Sequence, residues 1–130
     1  TIHGENFVLR VLDAKRGIVE YRKLGLTEDQ YYLLDLMLAL PEGIILVTGP
    51  TGSGKTTTLY SVLSHMNDES VNIMTLEDPV EYPITRIRQT SISDGSKIDF
   101  SDGVRSLMRQ DPDIILVGEV RDKDTAEMAF

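Results

Sequence analysis

The sequence contains no cysteine, so neither a disulfide framework nor a zinc cluster lies within it. That fits a reducing compartment. Basic residues are scarce: 13 Lys and Arg stand against 21 Asp and Glu, for a formal net charge of -8. A phosphate backbone rewards a basic face, so a nucleic acid gripped across the whole surface is not expected, although one local basic site stays open. Long apolar runs are also missing. Ile44–Val47 is far too short to cross a bilayer, and no signal peptide is visible. A membrane role would have to come through partners or through further sequence. There is no internal repeat and no low-complexity tract. What is present is a hydrophobic fraction of 41% over 130 residues, enough for one packed domain of ordinary size.

Both ends read as cut, and a fragment is expected. The chain opens without Met directly into a β-rich run, Asn6–Asp13, and closes on Ala126-Glu127-Met128-Ala129-Phe130, the first turns of a helix without a stop signal. Between them, residues 14–26 are polar with two glycines and read as a linker. Thr27 followed by Gln30 is a capping-box pattern, and Tyr31, Leu34 and Leu38 with Leu33, Leu36, Met37 and Leu40 keep helical spacing up to Pro41-Glu42-Gly43. Ile44–Thr48 is apolar without alternation, as expected of a strand buried on both faces of a parallel sheet. A helix over Thr56–Met66, a strand over Val71–Leu76 and a short strand near Arg86–Thr90 follow. Next come a helix over Phe100–Arg109 with Ser101 or Asp102 near its cap, a buried strand at Ile114–Val117, and a helix from about Asp124. Alternating strands and helices predict an α/β fold with a mainly parallel sheet.

The strongest chemical signal is Gly49-Pro50-Thr51-Gly52-Ser53-Gly54-Lys55-Thr56, which matches G-x-x-x-x-G-K-[ST] between an expected strand and an expected helix. Glycines let the backbone curl so that several N–H groups point inward. With the positive end of the next helix these form an anion site. Lys55 adds a full charge for the outer phosphates, and the Thr56 hydroxyl is suited to Mg²⁺. The predicted nucleotide contacts are Gly49, Pro50, Thr51, Gly52, Ser53, Gly54, Lys55, Thr56 and Thr57, and the loop alone implies ATP or GTP with Mg²⁺, of which the resemblance given below implies ATP.

Acids stand at the ends of two further strands. Glu119 follows Ile114–Gly118, and ligands in a parallel sheet sit at the carboxyl ends of strands, so Glu119 should face the phosphate loop and serve Mg²⁺ or polarise a water. Leu76-Glu77-Asp78-Pro79-Val80-Glu81-Tyr82 ends the preceding strand, and both Glu77 and Glu81 are candidates to direct the attacking water. Arg10 is either a surface residue or a finger that reaches the γ-phosphate. His3 and His65 have no spacing partner and read as non-catalytic.

Gly49–Leu59 (GPTGSGKTTTL), Thr75–Tyr82 (TLEDPVEY) and Ser106–Asp122 (SLMRQDPDIILVGEVRD) together resemble the Walker A, Asp box and Walker B signatures of the motor ATPases of type II secretion and type IV pilus assembly. The resemblance runs from Phe7-Val8-Leu9-Arg10 onward. It implies a RecA-like core over 25–130, a linker over 14–24, and the end of a smaller N-terminal domain over 1–13. It further implies a homo-hexamer, peripheral to the bacterial inner membrane on its cytoplasmic side, acting on a platform protein and cytoplasmic linker proteins, with no direct nucleic-acid contact. Lys55 and Thr56 would hold phosphate and Mg²⁺, Glu81 would act on the water, Glu119 would support Mg²⁺ and water, and Arg10 would approach the γ-phosphate. In this class a further strand, which the sequence does not contain, lies between the Walker A and Walker B strands. The 130 residues alone are therefore expected not to turn over ATP. A DNA-uptake or pilus-retraction ATPase, a nucleotide-binding subunit without turnover, and a small-molecule kinase are the rivals.

Overall fold

A computed structural model describes residues 17–92 and 99–130, together with Gly4 and Leu9. The strand expected at Asn6–Asp13, with Arg10 in it, lies apart from Leu9 outside the described residues, as does His3. The described elements are α1 (Glu28–Leu38), α2 (Lys55–Met66), β1 (Ile73–Glu77), β2 (Arg88–Ser91), α3 (Phe100–Met108), β3 (Ile114–Val117) and α4 (Lys123–Ala129), preceded by a 3-10 turn at Tyr21–Lys23. The three strands form one parallel sheet in the order β2-β1-β3, in agreement with the expected α/β class.

Strand β1 is the centre, and all five of its residues are buried. Successive side chains alternate between faces, and the two core clusters follow that alternation. Ile73 packs with Tyr60, Leu63, Ile84, Ile87 and Leu116 on the α2 side. Met74 and Leu76 pack with Val104 and Leu107 on the α3 side. Helix α3 lies so close that a Cβ on Gly103 would stand 2.4 Å from Leu76 Cδ2. On the α2 face, the strand turns from apolar Ile73 to buried polar Thr75 and Glu77, and this change marks where packing ends and chemistry begins.

The capping box at α1 forms as the sequence predicts. Gln30 N–H donates to Thr27 Oγ1 at 3.3 Å, and Thr27 N–H donates to Gln30 Oε1 at 2.9 Å. The cap of α3 is Asp99, not Ser101 or Asp102, and α4 is capped by Asp122; each accepts a backbone N–H from three residues on. Residues 17–24 are pinned rather than loose. Ser61 Oγ donates to Val19 O at 2.6 Å, and the Tyr21 ring stacks on His65 with centroids 4.0 Å apart. The Tyr21 hydroxyl donates to Asp35 Oδ1 at 2.7 Å. Burial, and then this bond, push the Tyr21 hydroxyl up to about 12.

One expectation is overturned. Ile44–Thr48 is not a buried strand: it carries no ladder, and Ile44, Ile45 and Leu46 are 46%, 46% and 68% exposed. A strand exists only where a neighbour accepts and donates its backbone bonds. Among the described residues the sheet ends at β2 and β3, and neither pairs with this segment. Leu33, Leu36 and Met37 on α1, and Leu40 just past its end, are exposed for the same want of a packed partner among the described residues, while Tyr31 on the other stripe is buried.

Candidate nucleotide site

The phosphate loop folds as its glycines require. Gly49, Gly52 and Gly54 have φ of 152°, 79° and 94°, values that L side chains rarely adopt. At Gly49 a Cβ would also meet Ser53 Oγ at 2.7 Å. Gly54 is the N-cap of α2, and no side chain caps that end, so the first-turn N–H groups and the helix dipole face the loop. Lys55 lies across it: its Nζ donates to Gly49 O at 2.7 Å and Pro50 O at 2.8 Å. The ammonium is thus held by two neutral carbonyls, weaker partners for a cation than an anionic oxygen would be.

The carboxyl ends of β1 and β3 meet beside this loop. Gly118 N–H donates to Leu76 O at 2.8 Å, and a Cβ on Gly118 would stand 3.2 Å from Glu77 Cα. That close approach brings Glu119 beside the end of β1. A cavity of about 100 Å³ opens here, lined among others by Thr56, Tyr60, Glu77, Glu81, Gly118 and Glu119. The structure thus gathers four predicted residues, Thr56, Glu77, Glu81 and Glu119, around one space. Lys55 stands next to Thr56 on the loop.

The carboxylates differ sharply in surroundings. Glu77 is 5% exposed and both its oxygens are engaged. Oε1 accepts a close hydrogen bond from the Tyr60 hydroxyl. Oε2 accepts from Thr75 Oγ1 at 2.6 Å and from Gln89 Nε2 at 3.4 Å. Glu81 is exposed, and its backbone N–H, not its carboxylate, is what Tyr60 Oη receives, at 3.4 Å. Glu119 is half-buried: Oε2 accepts from Arg121 Nε at 2.8 Å, while Oε1 is buried with no hydrogen-bond partner. A buried acceptor without a donor is costly unless a ligand completes it.

Sequence reasoning missed Tyr60, Thr75 and Gln89. Thr75 was legible in principle, since i and i+2 on a strand share a face and Thr75 is the one polar residue between Ile73 and Glu77 on that face. Tyr60 and Gln89 reach Glu77 over 17 and 12 positions, and no local pattern encodes such contacts. Conversely, part of the Arg109–Asp113 run serves the opposite end of the sheet. Asp113 Oδ2 accepts Asn72 N–H at 2.7 Å, and Asn72 Nδ2 donates to Asp111 O at 2.9 Å.

The model of the family described as "Type II/IV secretion system protein" matches residues 1–130. A type II secretion system protein E of Xanthomonas campestris pv. campestris is 51% identical over the whole chain, and one of Pseudomonas aeruginosa is 49% identical over 98% of it. The chain spans about a quarter of the length of these relatives, 23% and 25% respectively. Among solved structures, the pilus retraction motor PilT with bound ADP aligns with a TM-score of 0.76 at 41% identity, over 88% of this chain and 34% of that one. The Legionella pneumophila ATPase DotB aligns at 0.68 and 29% identity, over 85% and 31%.

Proposed function

Because the chain belongs to the type II/IV secretion system protein family, we propose that it binds ATP with Mg²⁺ in the cleft beside Gly49–Thr56 and supplies much of the hydrolytic site of a type II secretion motor. The observation that carries this reading is the convergence of Thr56, Glu81 and Glu119 on one cavity next to a phosphate loop whose lysine lies across it. The PilT structure, which contains ADP, supports a nucleotide as the ligand. The identity of about half to type II secretion proteins E favours secretion over pilus retraction or DNA uptake.

The proposed division of labour follows the surroundings of each group. The α2 N-terminus and the loop amides receive phosphate oxygens, and Lys55 exchanges its two carbonyl partners for them. Thr56 and Glu119 fit a magnesium ion, since a hydroxyl and a buried carboxylate oxygen without a partner are hard-cation ligands on one cavity wall. When bound, the ion would neutralise phosphate charge. Glu81, exposed at the cleft and free of carboxylate partners among the described contacts, orients the attacking water and accepts its proton. Glu77 has its oxygens occupied and holds the turn instead. Arg10 is the proposed finger from a preceding domain over 1–13.

The whole protein is proposed to work as a homo-hexamer at the cytoplasmic side of the inner membrane, coupled to a platform protein and cytoplasmic linker proteins. No helix among the described residues is long and apolar enough to cross a membrane. The exposed, unladdered Ile44–Leu46 supports a further proposal: the segment takes its place in the sheet only beside another strand, and the 130 residues alone do not turn over ATP. Phosphate release and ATP binding by the full-length protein test the reading against Lys55→Ala. Loss of both in the variant is expected; equal phosphate release by the two proteins would overturn it.

A further inference from the structure

Tyr60 is fully buried on α2, five positions beyond Lys55, and its hydroxyl is the meeting point of three elements. It donates to Glu77 Oε1 at the end of β1. It also accepts Glu81 N–H from the turn and Gln89 Nε2 from β2, each at 3.4 Å. The Tyr60 ring meets Tyr82 edge-on, with centroids 4.8 Å apart and planes at 74°, and Gln89 Nε2 reaches Tyr82 O at 3.1 Å. The backbone on both sides of the Glu81 side chain is therefore held by Tyr60 or by its partner. A further side-chain anchor on this turn is Ser91 Oγ, which accepts Val80 N–H at 3.0 Å. Phenylalanine would fill the same core volume, and a buried hydroxyl is tolerated only when it is paired. What the hydroxyl adds over the ring is this set of bonds.

We infer that Tyr60 is a positioning residue for Glu81: its hydroxyl fastens the helix behind the phosphate loop to the turn that carries the water-directing carboxylate. The inference rests on the role given to Glu81 above. Through this bond the distance between the phosphate grip and the carboxylate is set by one helix, so the two move together when phosphate binds α2. A misplacement of about 1 Å at a reacting group costs on the order of 10²-fold in rate, so removal of the hydroxyl acts on turnover rather than on nucleotide affinity.

The test compares Tyr60→Phe with wild type in the full-length protein, reading ADP affinity and single-turnover phosphate release. Expected are unchanged ADP affinity and a turnover reduced by about 10- to 100-fold. Leu63→Val, on the same helix and in the same core, gives the control for mere loosening: assayed well below either melting temperature, it should keep wild-type turnover even if its own melting temperature falls as far as that of Tyr60→Phe. Equal turnover loss in Leu63→Val, or no loss in Tyr60→Phe, would overturn the inference. The second arm places Tyr60→Phe in a Glu81→Gln background. No further loss is expected there, because Tyr60 acts through Glu81; an additive loss contradicts that route. If Glu81→Gln alone keeps full turnover, the role of Glu81 fails and the inference falls with it, an outcome distinct from failure of Tyr60→Phe by itself.

Discussion

At the amino ends of β1 and β3, Asn72 and Asp113 spend their polar atoms on each other and on nearby backbone, while at the carboxyl ends Glu81 and Glu119 face a cavity, and Glu119 Oε1 has no partner. Both ends carry short polar residues against the same apolar strands. The difference lies in whether the hydrogen-bonding capacity is used up. A satisfied cluster stabilises the sheet; an unsatisfied one, beside a helix N-terminus, is ready for a ligand. Glu77 belongs by position to the second end and by bonding to the first, since both its oxygens are engaged; the role of support for Glu81 is the one proposed for it above.

The contrast breaks most clearly at Glu81. Glu81→Gln should lower kcat by about 10²–10⁴-fold, the range of a general base, with the melting temperature unchanged, as measured by phosphate release and calorimetry. Glu77→Leu should act in the other currency. It strands the buried hydroxyl donors of Tyr60 and Thr75, at a cost of about 1–3 kcal/mol for each unsatisfied group, while Gln89 keeps Tyr82 O, and denaturant unfolding of the full-length protein should show the loss. Gly103→Ala, away from both ends, drives a methyl into Leu76 and should cost about 1–3 kcal/mol through overpacking, with nucleotide affinity intact. Asn72→Ala should cost about 1 kcal/mol per lost bond at the amino end and leave kcat alone.

The smallest effect is in acid. The Tyr21 hydroxyl holds the Asp35 carboxyl below its ordinary value of 3.8, and Thr125 N–H does the same for Asp122. A depressed carboxyl contributes stability that is present above the unfolded value and is lost as pH falls through the folded one. Melting temperature should therefore be flat above about pH 5 and decline below it, with Asp122→Asn flattening part of that decline.

How far the sequence reaches is visible in two apolar runs. Val71–Leu76 and Ile44–Thr48 both read as strands from the sequence, the second as a buried one. The first is central and buried from Ile73 to Leu76 because β2 and β3 pair with it; the second is exposed because nothing described pairs with it. Burial of a strand is a property of its neighbours, so composition alone cannot separate the two. Signals that act within a few residues were legible: the phosphate loop, the Thr27–Gln30 box, and the acid at the end of β3. The hydrogen bonding of Glu77 was not, because it depends on a tyrosine 17 residues away.

Single-turnover phosphate release from ATP by the full-length protein, measured side by side for wild type, Glu81→Gln and Asn72→Ala, tests the division between the two sheet ends most directly. The account predicts near-complete loss in Glu81→Gln and wild-type release in Asn72→Ala. Full release by Glu81→Gln, or equal loss in both variants, would contradict it.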